Sequence, residues 1–135
     1  MRNRWTAFLL VSMSLLLTSC HPGTQLEVVN NAGQNLTVVS IDTELKETAY
    51  TVGSNQTIRI TVPYKLRVLR NGEIWNYDLP PTPLLKSFRK SVAGNWYLEK
   101  FQIEHDGTIN VLLPDSQGPA TDLPPQPAGY PVRPK

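Results

Sequence analysis

The stretch Tyr64–Leu79 constrains the fold most, because apolar and polar residues alternate on both sides of Asn71-Gly72. Asn-Gly between such runs selects a tight hairpin loop, whose positive-φ residues match the twist of paired strands. That loop fixes a register. Arg70 opposes Glu73, Val68 opposes Trp75 and Leu66 opposes Tyr77, while Leu69 opposes Ile74, Arg67 opposes Asn76 and Lys65 opposes Asp78. One face is then apolar and the other mostly charged, with opposite charges facing each other in both outer pairs. A slip of one residue would turn every side chain to the wrong face, so the pattern specifies its own pairing.

Short runs rich in Val, Ile, Thr, Tyr and Trp recur on either side of this hairpin, separated by turn residues. Leu26–Val29, Leu36–Ile41, Ala49–Val52 and Thr57–Val62 read as strands, with Ile58, Ile60 and Val62 on one face of the last. Pro80-Pro81-Thr82-Pro83 forces a crossover, since proline lacks the ladder donor. Leu84–Val92 places Leu84, Leu85, Phe88 and Val92 at helical spacing and predicts one or two helical turns. A last hairpin joins Trp96–Glu104 to Thr108–Leu113. A three-residue loop with Gly107 left-handed puts Ile103 opposite Ile109 and Phe101 opposite Val111, so a bulged turn is expected.

After Pro114 the pattern breaks. Seven of the twelve prolines fall between Pro114 and Pro134, and Leu123, Tyr130 and Val132 show no period. This composition predicts polyproline II or disorder. The whole reads as all-β: a small antiparallel β-sandwich, immunoglobulin-like or transthyretin-like, over residues 26–113, with a disordered proline-rich tail over 114–135.

The first residues carry a different signal. Arg2 and Arg4 precede an apolar run from Trp5 to Leu17, followed by Leu17-Thr18-Ser19-Cys20. The run is too short to span a bilayer, which needs about 20 apolar residues. The tetrapeptide resembles the lipobox of bacterial lipoprotein precursors. That resemblance implies a signal peptide over 1–19, cleavage between Ser19 and Cys20, a diacylglycerol (with palmitate-type chains) on the Cys20 thiol, and a lipidated tether over 20–25. Two or three acyl chains hold a protein stably where one does not, at about 0.8 kcal/mol per buried methylene. His21 stands where an Asp is similar to an inner-membrane retention signal, which favours the outer membrane, with the domain facing the periplasm.

Cleavage also changes the charge. Loss of Arg2 and Arg4 leaves eleven basic residues against the eleven acidic ones, so electrostatics give no argument for a nucleic acid partner. Cys20 is the single cysteine, which removes disulfides, and with His21 and His105 as the two histidines the usual zinc ligand sets are lacking. No cofactor and no metal site is expected.

His105-Asp106 is the one pair a hydrolase would draw on, but Asp-Gly already has a turn role there and no nucleophile motif accompanies it. The chain reads as a non-enzyme. Strand alternation turns Trp96 outward, and Tyr130 lies in the tail, so these two are the candidate partner-binding residues. The expected function is a lipid-anchored envelope lipoprotein, held to the membrane through Cys20, that binds or scaffolds an envelope protein partner. The alternative is an envelope inhibitor or immunity-type protein that blocks an enzyme or a phage receptor with a loop such as Asn30–Asn35 or His105–Gly107.

Overall fold

In a computed structural model of the chain, the described residues are 23–81, 86–94 and 96–135. Ser19 and Cys20, with the rest of the signal segment, lie outside them, as do residues 82–85. The described residues form nine strands: β1 (Thr24–Asn31), β2 (Leu36–Ile41), β3 (Glu47–Val52), β4 (Thr57–Thr61), β5 (Lys65–Arg70), β6 (Glu73–Tyr77), β7 (Lys90–Val92), β8 (Trp96–Glu104) and β9 (Ile109–Leu112). One sheet runs β4-β1-β8, and β7 and β9 share the far edge of β8; the other runs β3-β2-β5-β6. Neighbours are antiparallel except β1 and β8, which run parallel from Thr24 opposite Tyr97 to Asn31 opposite Glu104. Thr24 and Gln25, assigned above to the tether, are therefore strand.

The β5–β6 hairpin has the register that Asn71-Gly72 dictates, from Arg70 opposite Glu73 to Leu66 opposite Tyr77. Leu66, Val68 and Tyr77 enter a core with Leu26, Val28, Ile60, Phe101, Ile103 and Val111 from the facing sheet. Its two outer ion pairs do not form. Arg70 instead lies over the Trp75 ring, 5.2 Å from its centroid, and donates to the His105 carbonyl. Asp78 pairs with Lys135 at the end of the chain. The β8–β9 hairpin also follows its expected register, with Ile103 opposite Ile109, Phe101 opposite Val111 and Gly107 at φ 84. The helical spacing of Leu84–Val92 does not produce a helix in its described part: 86–88 make one tight 3₁₀ turn and Lys90–Val92 pairs with β8. So short a segment cannot outcompete an open strand edge beside it.

β1 and β2 follow each other in the chain but lie in opposite sheets. The corner between them is held by Asn30, whose side chain is fully buried. Its Nδ2 donates to the carbonyls of Gln34, Val52 and Gly53 at 2.7, 3.0 and 3.1 Å, and its Oδ1 accepts from Ala32 N at 2.9 Å. Its main chain bonds Gln56 and Asn55 at the β3–β4 turn. One residue thus ties two turns together, giving polar groups there a partner that the strand ladders do not supply.

The expected disordered tail over 114–135 is instead packed against the sandwich. Leaving β9, it crosses the outer face of the first sheet, where Gly118 lies so close to Val29 that an added Cβ would come within 2.9 Å of it. Gln102 on β8 grips the tail by Ala120, accepting from its N at 2.8 Å and donating to its carbonyl at 2.9 Å. The chain then passes the free edge of β9. Prolines cannot supply ladder donors there, and Gln126 does so with its side chain: Oε1 accepts from Val111 N at 2.7 Å and Nε2 donates to Val111 O at 3.0 Å. Val132 completes the edge with two backbone bonds to Ile109, and Lys135 N donates to Asn76 O in the other sheet. The tail is a strap from one sheet to the other. Folded packing therefore extends from β1 to Lys135, beyond the boundary expected at residue 113.

Candidate functional site

At the end of the sandwich where β1 and β8 begin, the β4–β5 loop and the segment after β6 leave a cleft of about 230 Å³ between the sheets. Its walls are mostly apolar: Leu26 from β1, Val62 and Pro63 from the loop, Leu79 and Pro80 after β6, and Phe101 from β8. Two polar side chains interrupt them, Glu99 from β8 and Tyr130 from the strap.

Glu99 faces inward because it alternates in phase with Phe101 and Ile103, and it is 1% exposed. Its Oε1 and the Tyr130 hydroxyl are both buried without a hydrogen-bond partner among the described residues. Burial pushes the Glu99 carboxyl up to about 7, against a smaller opposing pull from Arg89. Burial likewise raises the Tyr130 phenol above its ordinary value, and the nearby Glu99 adds to this. Tyr130 is held by its ring, tilted 57° against Phe101 with centroids 5.4 Å apart. The arrangement offers a hydrogen-bonding floor in an apolar cleft.

Glu99 also gives the fold a pH dependence. Its ordinary value is 4.5 and its folded value about 7, so between these the folded chain holds a proton that the unfolded chain has lost. Stability conferred through Glu99 then falls as pH rises from about 4.5 to about 7 and is level above, a loss of up to about 3 kcal/mol. Urea midpoints measured across this range are expected to show that fall in the native chain relative to Glu99→Gln, which lacks it.

The two residues singled out for partner binding do not come together. Tyr130 is buried in the core and is not a surface contact of a free tail, because the strap inserts its ring beside Phe101. Trp96 lies opposite Val92 at the start of β8, 36% exposed, with its indole over Gly23 where no Cβ would fit. It belongs to the outer face with Leu98, Lys100 and Gln102, away from the cleft.

The other sequence candidates have local roles. His105 Nδ1 lies 3.0 Å from the Ala32 carbonyl, and Asp106 accepts from Thr108 N at 2.9 Å, which holds its carboxyl below the ordinary range. Among the described residues no group of three or more His, Cys, Asp or Glu is placed to hold a metal ion. The basic residues of the middle of the chain divide between ion pairs, Arg59 and Lys100 with Glu27, Arg67 with Glu47 and Lys90 with Asp115, and aromatic rings, Lys65 over Tyr64, Arg70 over Trp75 and Arg89 over Tyr97. Burial works against the charge on Glu27, yet the bonds from Arg59 and Lys100 hold its carboxyl below the ordinary value.

Fold and site together define a class: an all-β sandwich of two sheets with a polar-floored apolar cleft at one end. No family model matches the chain, and no curated protein matches it. Among solved structures, the NMR structure of a protein from Eubacterium rectale is similar, with 17% identity and a TM-score of 0.37 over 74% of this chain and 96% of that one. At that score the likeness carries no argument about fold or function.

Proposed function

We propose that this chain is a lipid-anchored bacterial envelope lipoprotein whose sandwich works as a non-enzymatic binding module, with the Glu99–Tyr130 cleft as its binding site. The observation that carries the binding reading is the pair of buried, unpartnered polar atoms on the wall of the cleft. Native proteins pair more than about 90% of such groups. The anchor rests on Leu17-Thr18-Ser19-Cys20. With β1 starting at Thr24, a lipid on Cys20 keeps the cleft end close to the membrane, here the outer membrane on its periplasmic side. An envelope component in or near that membrane is then the natural partner, and Trp96 at the same end is a candidate contact.

Of the two sandwich types the sequence admits, the transthyretin-like one is favoured. An immunoglobulin-like sandwich keeps its first two strands in one sheet, whereas β1 and β2 here divide between sheets. The inhibitor reading has less support, because both of its loops are tied inward. Asn30 and Ala32 are buried, and the Gly107 carbonyl accepts from Tyr77 Oη at 2.7 Å.

Metabolic labelling with a fatty acid, followed by membrane fractionation and crosslinking in cells, tests the proposal. The intact chain is expected to carry label, to sediment with the outer membrane and to crosslink to a specific envelope protein. Label that persists in Cys20→Ser would contradict the anchor, and a membrane-bound chain that crosslinks to nothing specific would contradict the partner.

A further inference from the structure

We propose that the cleft binds a primary alkylammonium group, with the ammonium on the Glu99 carboxylate and the Tyr130 hydroxyl oxygen and its aliphatic stem against Leu26, Val62, Leu79 and Phe101. The inference rests on the reading of the cleft as a binding site and names what it takes. Glu99 Oε1 and Tyr130 Oη come from different elements, β8 and the strap, and both are buried and unpartnered among the described residues. Each such atom costs about 1–3 kcal/mol while it stays unpaired. The strap nonetheless brings both residues to the lining of one cleft.

An ammonium supplies what that wall lacks. It has three donors and a positive charge, so it can donate to the carboxylate and to the phenol oxygen together. A neutral alcohol has a single donor, and a carboxylate ligand would meet Glu99 as a like charge. The remaining walls are hydrocarbon, which suits an unbranched stem. At about 30 Å³ per water in the liquid, the cleft has room for about seven waters, or an amine of about six heavy atoms.

Charge around Glu99 fits the same ligand. Tyr64 on the β4–β5 loop also lines the cleft, Tyr130 on the strap has its phenol raised by burial and stays neutral at physiological pH, and Arg89 ahead of β7 lies over the Tyr97 ring, 4.3 Å from its centroid. Arg89 lowers the Glu99 carboxyl less than burial raises it, so the carboxyl keeps a deficit of positive charge for a ligand to fill. The chemistry has two sources, a free amine or a lysine side chain of an envelope partner.

The test is NMR titration of the intact protein with n-pentylamine, n-pentanol, pentanoate and Nα-acetyl-lysine methylamide, read at Glu99 and Tyr130, at pH 8 and pH 5.5. Both amines stay protonated at either pH. Pentylamine is expected to bind about tenfold or more tightly at pH 8, where Glu99 is ionised, and more tightly than pentanol or pentanoate. Glu99→Gln should lose this pH dependence, and Tyr130→Phe, which removes only the hydroxyl, should weaken the amine several-fold. Saturable shifts from the lysine probe but not pentylamine would support the chemistry and assign it to a partner's lysine. Pentanol binding as tightly as pentylamine, or amine affinity unchanged in both variants, would overturn the ammonium while leaving a binding cleft. No saturable shift from any probe would overturn the cleft reading as well.

Discussion

Ending the chain at Leu113 is expected to cost about 5 kcal/mol or more, a large share of the roughly 5–15 kcal/mol that holds a domain of this size together. Tyr130 fills core space against Phe101, and removing a buried aromatic side chain costs about 3–5 kcal/mol. The loss does not stop at the ring. Val132 and the Gln126 amide leave the edge of β9, and Val29 and Leu112, now 1% and 0% exposed, lose their cover on the outer face. Urea unfolding of the truncated and intact chains measures this directly. An unchanged midpoint would make residues 114–135 the extended or disordered tail that their composition predicts. The same result governs any pull-down made with and without the tail, because a truncated chain that has lost its fold loses partners for that reason alone.

Asn30→Ala is expected to be strongly destabilising for a polar substitution, at about 3–5 kcal/mol. The side chain satisfies three carbonyls and one N–H, and Asn30 has no exposure. Truncation leaves the Gln34 and Val52 carbonyls and Ala32 N without this partner, while the Gly53 carbonyl keeps its bond from Gln56 N; each buried orphan costs about 1–3 kcal/mol, reduced where water can enter the space left behind. Asn30→Asp keeps the acceptor for Ala32 but removes the donors and sets a charge against three carbonyls, so it should be no milder at neutral pH. Chemical denaturation of the two variants checks both statements; a loss below about 1 kcal/mol for Asn30→Ala would show that the two turns hold themselves.

Local pattern made the hairpins legible. Asn71-Gly72 and Asp106-Gly107 each state a loop type, and the alternation on either side leaves one register that buries apolar residues. Which sheet a strand joins is set elsewhere. Asn30 looks like one more polar residue in a turn cluster, and only the approach of Val52 and Gly53 from a distant part of the chain reveals it as the corner between sheets. The parallel pairing of β1 with β8 is invisible for the same reason, since no turn connects them.

The tail hid its order because it packs without a period. Tyr130, Val132, Gln126 and Gly118 each make a different contact, so no face repeats. Prolines restrict the unfolded chain as well, which makes an extended path less costly to hold than the composition implies. One signal was present: Ile109, Val111 and Leu112 put apolar residues on both faces of the last strand, and the structure buries all of Ile109–Leu112. A nearly continuous apolar strand needs cover on both faces, and the tail is what covers the second. Glu99 was legible only as one polar position on a strand. Its role follows from Tyr130, which the strap delivers to the same cleft.

The site depends on the strap, and one titration tests both. NMR of the side-chain carboxyl carbon of Glu99 and the ring resonances of Tyr130 in the intact chain is expected to give a Glu99 midpoint near 7, with the Tyr130 ring tracking the same midpoint. A Glu99 midpoint in the ordinary carboxylate range, with Tyr130 indifferent to it, would contradict the buried cleft and the packed tail together.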